Sequence, residues 1–274
     1  MDQRAKAKRF LELHTSGRLL VLPNAWDAGS ARIFEHVGFQ ALGSTSAGVA
    51  LSLGHPDGER VSRAEMLEAV RRIAGAVTIP VTADLEAGYG PAVSDAVETA
   101  RGAIAAGAVG MNFEDSTSDD RLVDAAIQVG RIRAIKKLVE AEGIAFVLNA
   151  RTDVFLLQIG EPAGRFDETV RRANAYREAG ADCLFVPGVA DAETIGRLVR
   201  AIKGPLNVLA GRSTPPTAEL ERLGVARVSI GGGPMRATLT LTQRIAEELR
   251  EHGTYTSFTE NVLPLRDFNR LFAR

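Results

Sequence analysis

The chain has 274 residues, 45% hydrophobic and 24% charged, with a formal net charge of -1. This is the composition of an ordinary soluble globular protein, and the balanced charge leaves no electrostatic footprint for nucleic acid or for an anionic membrane. Met1 to Phe10 is polar and basic with no apolar run behind it, no later segment is long and apolar enough to span a bilayer, and Cys183 is the single cysteine, so no intrachain disulfide forms and a cytoplasmic location is expected.

Ala5 to His14 reads as a leading helix, after which a pattern starts to repeat. Leu19 to Ala25 is a strand, Asp27 to His36 a helix stopped by Gly38, and Gln40 to Thr45 a second strand followed by a long polar loop through Pro56 and Asp57. Ser62 and Glu65 have the spacing of a capping box that opens the next helix. The strand at Ile79 follows, then helix Val93 to Ala106 and strand Val109 to Phe113, then helix Leu122 to Ala141 and strand Ala145 to Ala150. Helix Asp167 to Ala179 leads to strand Cys183 to Val186, helix Ala192 to Ile202 to strand Leu206 to Ala210, and short helix Ala218 to Leu223 to strand Ala226 to Ile230. Pro234 to Arg250 is the last long helix.

Helix, Gly, a small residue or two, then an apolar β-rich run is the recurring signature, and Gly at that place suits a left-handed helix C-cap. Alternating strands and helices imply a parallel sheet with right-handed crossovers, and eight such units in a chain of this size predict a (β/α)₈ TIM barrel of class α/β. A doubly wound open sheet is the competing architecture, but no G-x-G-x-x-G follows the first strand. Residues 1–253 are thus expected to form the barrel with its N-terminal helix, and 254–274 an extension. Phe258, Val262, Leu263, Leu265, Phe268, Leu271 and Phe272 make that extension too apolar for a solvated tail, so it should pack on its own barrel or on a neighbouring subunit.

Barrel active sites form at the C-terminal ends of the strands. The third strand runs into Asp84 and Glu86, separated by one residue, so on an extended chain they point the same way, and Gly88 and Gly90 turn the backbone behind them. Two such carboxylates repel each other and are costly to desolvate. A hard divalent cation held through oxygen answers both problems, and Mg²⁺ typically takes one or two carboxylates plus water and substrate oxygens. The alternative is a solvated loop with two acids. The second strand presents Thr45, Ser46, Ala47 and Gly48, then His55 and Asp57; the fourth presents Glu114 and Asp115; the fifth Asn149, Arg151 and Asp153. The sixth ends at Pro187 and Gly188, the seventh carries Asn207 as a candidate substrate-binding residue, and the eighth is followed by Gly231 to Gly233. Arg151 either pairs with Glu114 or Asp153, or holds a substrate carboxylate or phosphonate in its fork. Thr45, Ser46 and Ala47 offer hydroxyls and N–H groups to the other end of an anionic ligand, unless the stretch is only a small-residue turn. Cys183, in an apolar run, reads as a core thiol. The lysines all fall on predicted helices or their ends, which excludes a Schiff-base aldolase, and His14, His36 and His252 sit at helix ends, where cationic capping explains them.

Four segments become specific together. Ala-Asp-Leu-Glu-Ala-Gly-Tyr-Gly at 83–90, Asn-Phe-Glu-Asp at 112–115, Asn-Ala-Arg-Thr-Asp at 149–153 and the stretch from Thr45 to Gly58 resemble the phosphoenolpyruvate mutase/isocitrate lyase superfamily, in the right order over nearly the whole chain. The resemblance implies a barrel whose last helix is swapped between subunits of a dimer, assembled into a homotetramer as a dimer of dimers. It implies one Mg²⁺, with Mn²⁺ as a substitute, near the metal residues Asp84, Glu86 and Glu114. It places Asp57 on a mobile loop closing over the substrate and gives Arg151 the substrate's anionic group, with Asp57, Arg151 and Glu114 as the catalytic set. Members break or rearrange C–C or C–P bonds beside the carbonyl of small 2-oxo acids, or cleave 2-hydroxy tricarboxylic acids.

Two departures from that pattern stand out. The isocitrate and 2-methylisocitrate lyases carry a Lys-Lys/Arg-Cys-Gly-His loop between the fourth and fifth strands, where this chain has Ser116 to Leu122 and no Cys. They also end the sixth strand in a glutamate whose place Gly188 takes here. The gating loop of the mutases and phosphonopyruvate hydrolases has no clear counterpart either. What remains is a Mg-dependent lyase or mutase acting on an acid the size of oxaloacetate, phosphonopyruvate or a substituted malate through an enolate. The alternatives are a 2-methylisocitrate lyase without the usual Cys, and a non-catalytic metabolite-binding barrel.

Overall fold

In a computed structural model describing residues 1–273, nine strands form one all-parallel sheet. In chain order they are β1 (Leu20–Leu22), β2 (Asn24–Ala25), β3 (Leu42–Ser44), β4 (Val81–Asp84), β5 (Gly110–Glu114), β6 (Val147–Arg151), β7 (Cys183–Val186), β8 (Leu206–Leu209) and β9 (Arg227–Ser229). Their order around the sheet is β1-β9-β8-β7-β6-β5-β4-β3-β2. The two ends, β1 and β2, flank Pro23, so they are halves of the single first strand expected from the sequence. Proline has no N–H to give to the ladder, and the strand steps there. The Pro23 carbonyl still accepts from Gly43 N–H at 2.8 Å, and the sheet closes into a barrel apart from that step. The fold class read from the sequence holds.

Twelve α-helices surround it: α1 (Gln3–Thr15), α2 (Ala28–Val37), α3 (Ser46–Ser52), α4 (Arg63–Ala76), α5 (Val93–Ala105), α6 (Ala125–Glu142), α7 (Arg165–Glu178), α8 (Ala192–Ala201), α9 (Thr217–Leu223), α10 (Gly233–Glu251), α11 (Thr256–Thr259) and α12 (Leu265–Phe272). Gly38, Gly143 and Gly224 cap α2, α6 and α9 with φ of 101°, 62° and 89°, a backbone region that a side chain disfavours. The capping box at Ser62 and Glu65 starts α4 as expected. Helix α3 was not foreseen: the stretch after β3 reads as loop because seven residues are too few to show a helical period and Ser46, Gly48 and Val49 are weak helix formers. No helix among the described residues is long and apolar enough to cross a membrane.

Strand register decides what fills the barrel. Asp84 aligns with Asn112, Asn112 with Asn149, and Asn149 with Cys183, so these side chains share the inner face. Phe185, Asn207 and Arg227 are aligned in the same way. The upper interior is therefore polar, while Phe10 and the other apolar residues of α1 close the bottom. Cys183 is a core thiol, and burial pushes it up to about 12.

The last helix departs from the pattern. Of α10 only Met235 is buried, while Leu239, Leu241 and Leu249 are exposed. Further on, α12 rests on α2 of the same chain, where Arg32 Nη2–H donates to the Leu271 carbonyl at 2.7 Å. Phe258, Val262, Leu263, Leu265 and Phe272 nonetheless remain exposed.

His14 corrects the capping explanation. It is buried, its ring stands edge-on to Phe10 with centroids 4.6 Å apart, and its Nδ1 meets the Phe10 carbonyl at 2.8 Å. Burial, reinforced by the Arg227 charge, lowers its pKa to about 4, so it is neutral rather than a cationic cap. Between that value and the ordinary one near 6.5 the unfolded chain binds the extra proton, so this contribution to stability is full above the ordinary value and is lost as pH falls through the window. The difference in unfolding free energy between the native chain and His14→Leu should shift by on the order of 3 kcal/mol from pH 7 to pH 4, read from denaturant curves. Parallel curves would contradict it.

Candidate functional site

Asp84, at the end of β4, is the most heavily tied carboxylate of the barrel mouth. Ser46 N–H and Oγ–H both donate to its Oδ2 at 2.9 Å, and Asn112 Nδ2–H donates to its Oδ1 at 2.9 Å. Thr45 caps α3, its hydroxyl accepting from Gly48 N–H at 3.3 Å. Both hydroxyls are thus already engaged, Ser46 with Asp84 and Thr45 with its own helix, although both residues line the inner cavity. Ala47 still lines the cavity beside them.

Glu86 sits just past the strand with φ of 48°, in a turn where Tyr89 has 58° and Gly88 94°. A non-glycine residue in that region is strained, and here surrounding hydrogen bonds hold it. Glu59 N–H donates to Glu86 Oε2 at 2.5 Å, and Tyr89 OH donates to Oε1 at 3.2 Å. Tyr89 N–H in turn donates to Glu59 Oε1 at 2.8 Å. The loop bearing Asp57 is thereby docked on the β4 turn. Burial, with Asp57, Asp84 and Glu59 nearby, pushes Glu86 up to about 7 against the pull of the Glu59 N–H. Asp57 is raised by desolvation of its carboxyl and by Asp84, although the residue as a whole is exposed on its loop.

Glu114 and Asp153 bracket Arg151. Arg151 Nη1 lies 2.7 Å from Glu114 Oε2 and Nε 2.6 Å from Asp153 Oδ1. Burial works against the Arg151 charge, but these two acids overcome it and raise its pKa. Ser116 Oγ is 2.6 Å from Asp153 Oδ2 and 3.0 Å from Glu114 Oε1. A hydroxyl has one proton, which goes to the nearer acid, so the second contact suits a protonated Glu114 that donates. Burial drives Glu114 in that direction, well above the usual carboxylate range, with Arg151 opposing. Arg151 is therefore paired with both acids, and among the described residues no hydrogen bond runs from its Nη2.

These groups line two adjoining cavities. The outer one, about 340 Å³, is lined by Ser46, Asp57, Glu86, Glu114, Arg151 and Asp153, among others. The inner one, about 160 Å³, reaches Asn24, Asp84 and Asn112 and has an apolar wall of Leu156, Phe185, Pro187 and Leu209. Asn207 is not on either lining: it is fully buried beneath them, accepting from Ser229 Oγ–H at 3.3 Å. Gly188 takes φ of 86°, and a Cβ there would meet Leu156 N and Cα at 2.7 Å. No side chain fits at this place, so the turn after β6 itself fills the space a carboxylate would need.

Sequence reasoning missed three features. Asn24 knits the step at Pro23, donating to the Ser44 carbonyl at 2.8 Å and accepting from Ile230 N–H and Gly231 N–H at 2.9 Å. Asp115, although it follows Glu114, faces outward to Tyr176 OH at 2.6 Å and Arg172 at 3.1 Å and anchors α7. The Leu156 wall falls in a loop with no periodicity to mark it.

The acids also have to be tested against a divalent cation. Among the described residues, no three His, Cys, Asp or Glu side chains are already gathered as a metal cage. The donor set is all-oxygen, however, and its carboxylates outnumber the one buried guanidinium beside them. Asp84 has about four acceptor positions, and three are filled by Ser46 and Asn112, leaving one directed outward. That fits Mg²⁺, which keeps most of its waters and takes few direct carboxylates.

Residues 10–250 match the family model described as Phosphoenolpyruvate phosphomutase, and the chain belongs to that family, within the PEP mutase/isocitrate lyase superfamily. It is 32% identical to 2,3-dimethylmalate lyase of Eubacterium barkeri over 282 residues, covering 97% of this chain and 93% of that one. A solved chain from Burkholderia cenocepacia J2315 superposes with a TM-score of 0.93 at 41% identity, over 99% of this chain and 97% of that one. Oxaloacetate acetylhydrolase in complex with the product oxalate superposes with a TM-score of 0.88 at 25% identity, over 99% of this chain and 95% of that one. This chain is therefore similar to enzymes that act on small carboxylic acids.

Proposed function

We propose that the protein is a Mg²⁺-dependent lyase that cleaves the C–C bond beyond the carbonyl or carbinol carbon of a small 2-oxo or 2-hydroxy acid. The observation that carries this reading is the inner cavity, where Asp84 and the free edge of Arg151 face an apolar wall and no further buried cation lines the space. Asp84, with Glu86 and Glu114 through water, would hold the ion. When bound, Mg²⁺ supplies Lewis-acid neutralisation of the negative charge that develops on the substrate's oxygens. Arg151 binds the substrate carboxylate through Nη2 and orients the bond that breaks. In a 2-hydroxy acid Asp57 takes the hydroxyl proton as the C2–C3 bond breaks and returns it to the carbon of the enolate that leaves; in a 2-oxo acid that loses its far carboxylate as CO₂, the Asp57 carboxyl, raised by burial, delivers a proton to the enolate that stays. The docked loop, tied through Glu59 to Glu86 and Tyr89, excludes bulk water while this happens.

The relatives' names suit a substrate of this size: 2,3-dimethylmalate for one, oxaloacetate for another. A tricarboxylate has little to hold its extra carboxylate, because Gly188 admits no side chain, and the loop from Ser116 to Leu122 has no thiol to move the proton its cleavage needs. Turnover on a panel of 2-oxo and 2-hydroxy acids with Mg²⁺ tests the proposal. Acids the size of oxaloacetate, phosphonopyruvate or dimethylmalate should exceed 2-methylisocitrate in kcat/KM by about 10²-fold or more, the typical worth of a positioned acid or base. Comparable efficiency with 2-methylisocitrate would contradict it, and binding without turnover of any acid would favour a binding barrel.

We also propose that a second copy of the chain covers α10 and the exposed apolar residues from Phe258 to Phe272 that follow it. This helix follows the last strand yet buries only Met235, while Leu19 and Val21 beside β1 remain half-buried. Exchange of α10 between two copies would satisfy both faces, and exposed apolar area of this extent otherwise invites aggregation. Removing the residues after Gly253 should lower the native mass in light scattering or cause aggregation. A soluble truncated protein of unchanged oligomeric mass would overturn the proposal.

A further inference from the structure

Beneath the acidic mouth lies a cation that the chemistry above does not use. Arg227, on β9, is fully buried and makes no ion pair among the described residues. Its one hydrogen bond runs from Nη2 to Asn112 Oδ1 at 3.3 Å, while Nε and Nη1 reach no acceptor. Burial lowers its pKa to about 10, which still leaves it charged. A buried charge without a partner is costly, so its position calls for a physical reason.

Asn112 supplies one. Its Oδ1 also accepts from Asn149 Nδ2–H at 2.8 Å, and its Nδ2–H donates to Asp84 Oδ1 at 2.9 Å. An arginine side chain has donors only, so the end of the amide that meets it must be oxygen. That settles which end meets Asp84. In the flipped orientation the amide oxygen would face a carboxylate and its nitrogen would face two donors. Ser46 holds the other carboxylate oxygen, so Asp84 is gripped at both ends.

We propose that Arg227 is a positioning residue that acts through Asn112 to fix the Asp84 carboxylate in the orientation in which it receives a divalent cation. The proposal rests on the metal reading given under Proposed function. It separates cleanly from a plain charge effect, because the two have opposite signs. Removing a positive charge below a cation site would by itself tighten cation binding; losing the grip on Asp84 weakens it.

The test is calorimetric titration of the full chain with Mg²⁺ alone, paired with thermal unfolding in a chelator. The proteins compared are the native chain, Arg227→Met, Arg227→Lys and Asn149→Ala. Arg227→Met replaces an unpaired buried charge with an apolar group and should keep or raise Tm, while Mg²⁺ affinity falls about 10-fold or more, as for groups that orient a metal ligand. Arg227→Lys, still a cation and donor only, should recover part of that loss. Asn149→Ala, which removes the neutral donor to the same oxygen, should also weaken Mg²⁺ binding, and it carries the test together with Arg227→Lys if Arg227→Met does not fold. Unchanged or tighter binding in Arg227→Met, or an affinity that only follows Tm across the set, overturns the proposal. If the native chain itself binds no Mg²⁺, the metal reading fails and takes this one with it; if it binds and the variants match it, this one fails alone.

Discussion

Carboxylates crowded around one guanidinium at the barrel mouth are the constraint on which the rest of this structure depends. Asp57, Asp84, Glu86, Glu114 and Asp153 lie against the same two cavities, with Arg151 as their buried counter-charge. Mutual repulsion and desolvation would drive them apart or protonate them. The fold answers with donors: Ser46 and Asn112 on Asp84, Glu59 and Tyr89 on Glu86, Arg151 on Glu114, and Arg151 and Ser116 on Asp153. A negative excess still remains, and this excess is what the proposed divalent cation would offset.

The barrel supplies these donors from separate elements, which is why each strand end matters. Ser46 comes from the first turn of α3, Asn112 from β5, Arg151 from β6, and Glu59 from the loop before α4. Few of them are close in sequence, so their geometry is set by strand register rather than by local structure. The apolar wall of Leu156, Phe185, Pro187 and Leu209 limits the room opposite. Shape and charge together are what support the proposed small acid with one anionic end held by Arg151.

Much of this was legible in the residues. Glycines after helices marked the strand starts, because the left-handed cap they adopt is hard for other residues, and φ values at Gly38, Gly143 and Gly224 bear that out. The gathering of Asp84, Glu86, Glu114 and Arg151 at one mouth was legible because each stands at the end of an apolar strand, and a barrel brings its strand ends together. Other features were hidden for physical reasons. In a parallel barrel both faces of a strand are covered, so alternation does not tell inward from outward. Arg227 therefore gave no sign that it lies inside, Asn207 none that it lies under the cavity rather than in it, and His14 none that it is neutral. The hold of Ser46 on Asp84 depends on α3, whose seven residues are too few to show a helical period.

The central claim is that Asp84 receives the cation. Calorimetry of the Asp84→Ala variant with Mg²⁺, on protein shown by circular dichroism to be folded, tests it most directly. The account predicts that binding disappears together with turnover. A folded variant with unchanged Mg²⁺ affinity would contradict it.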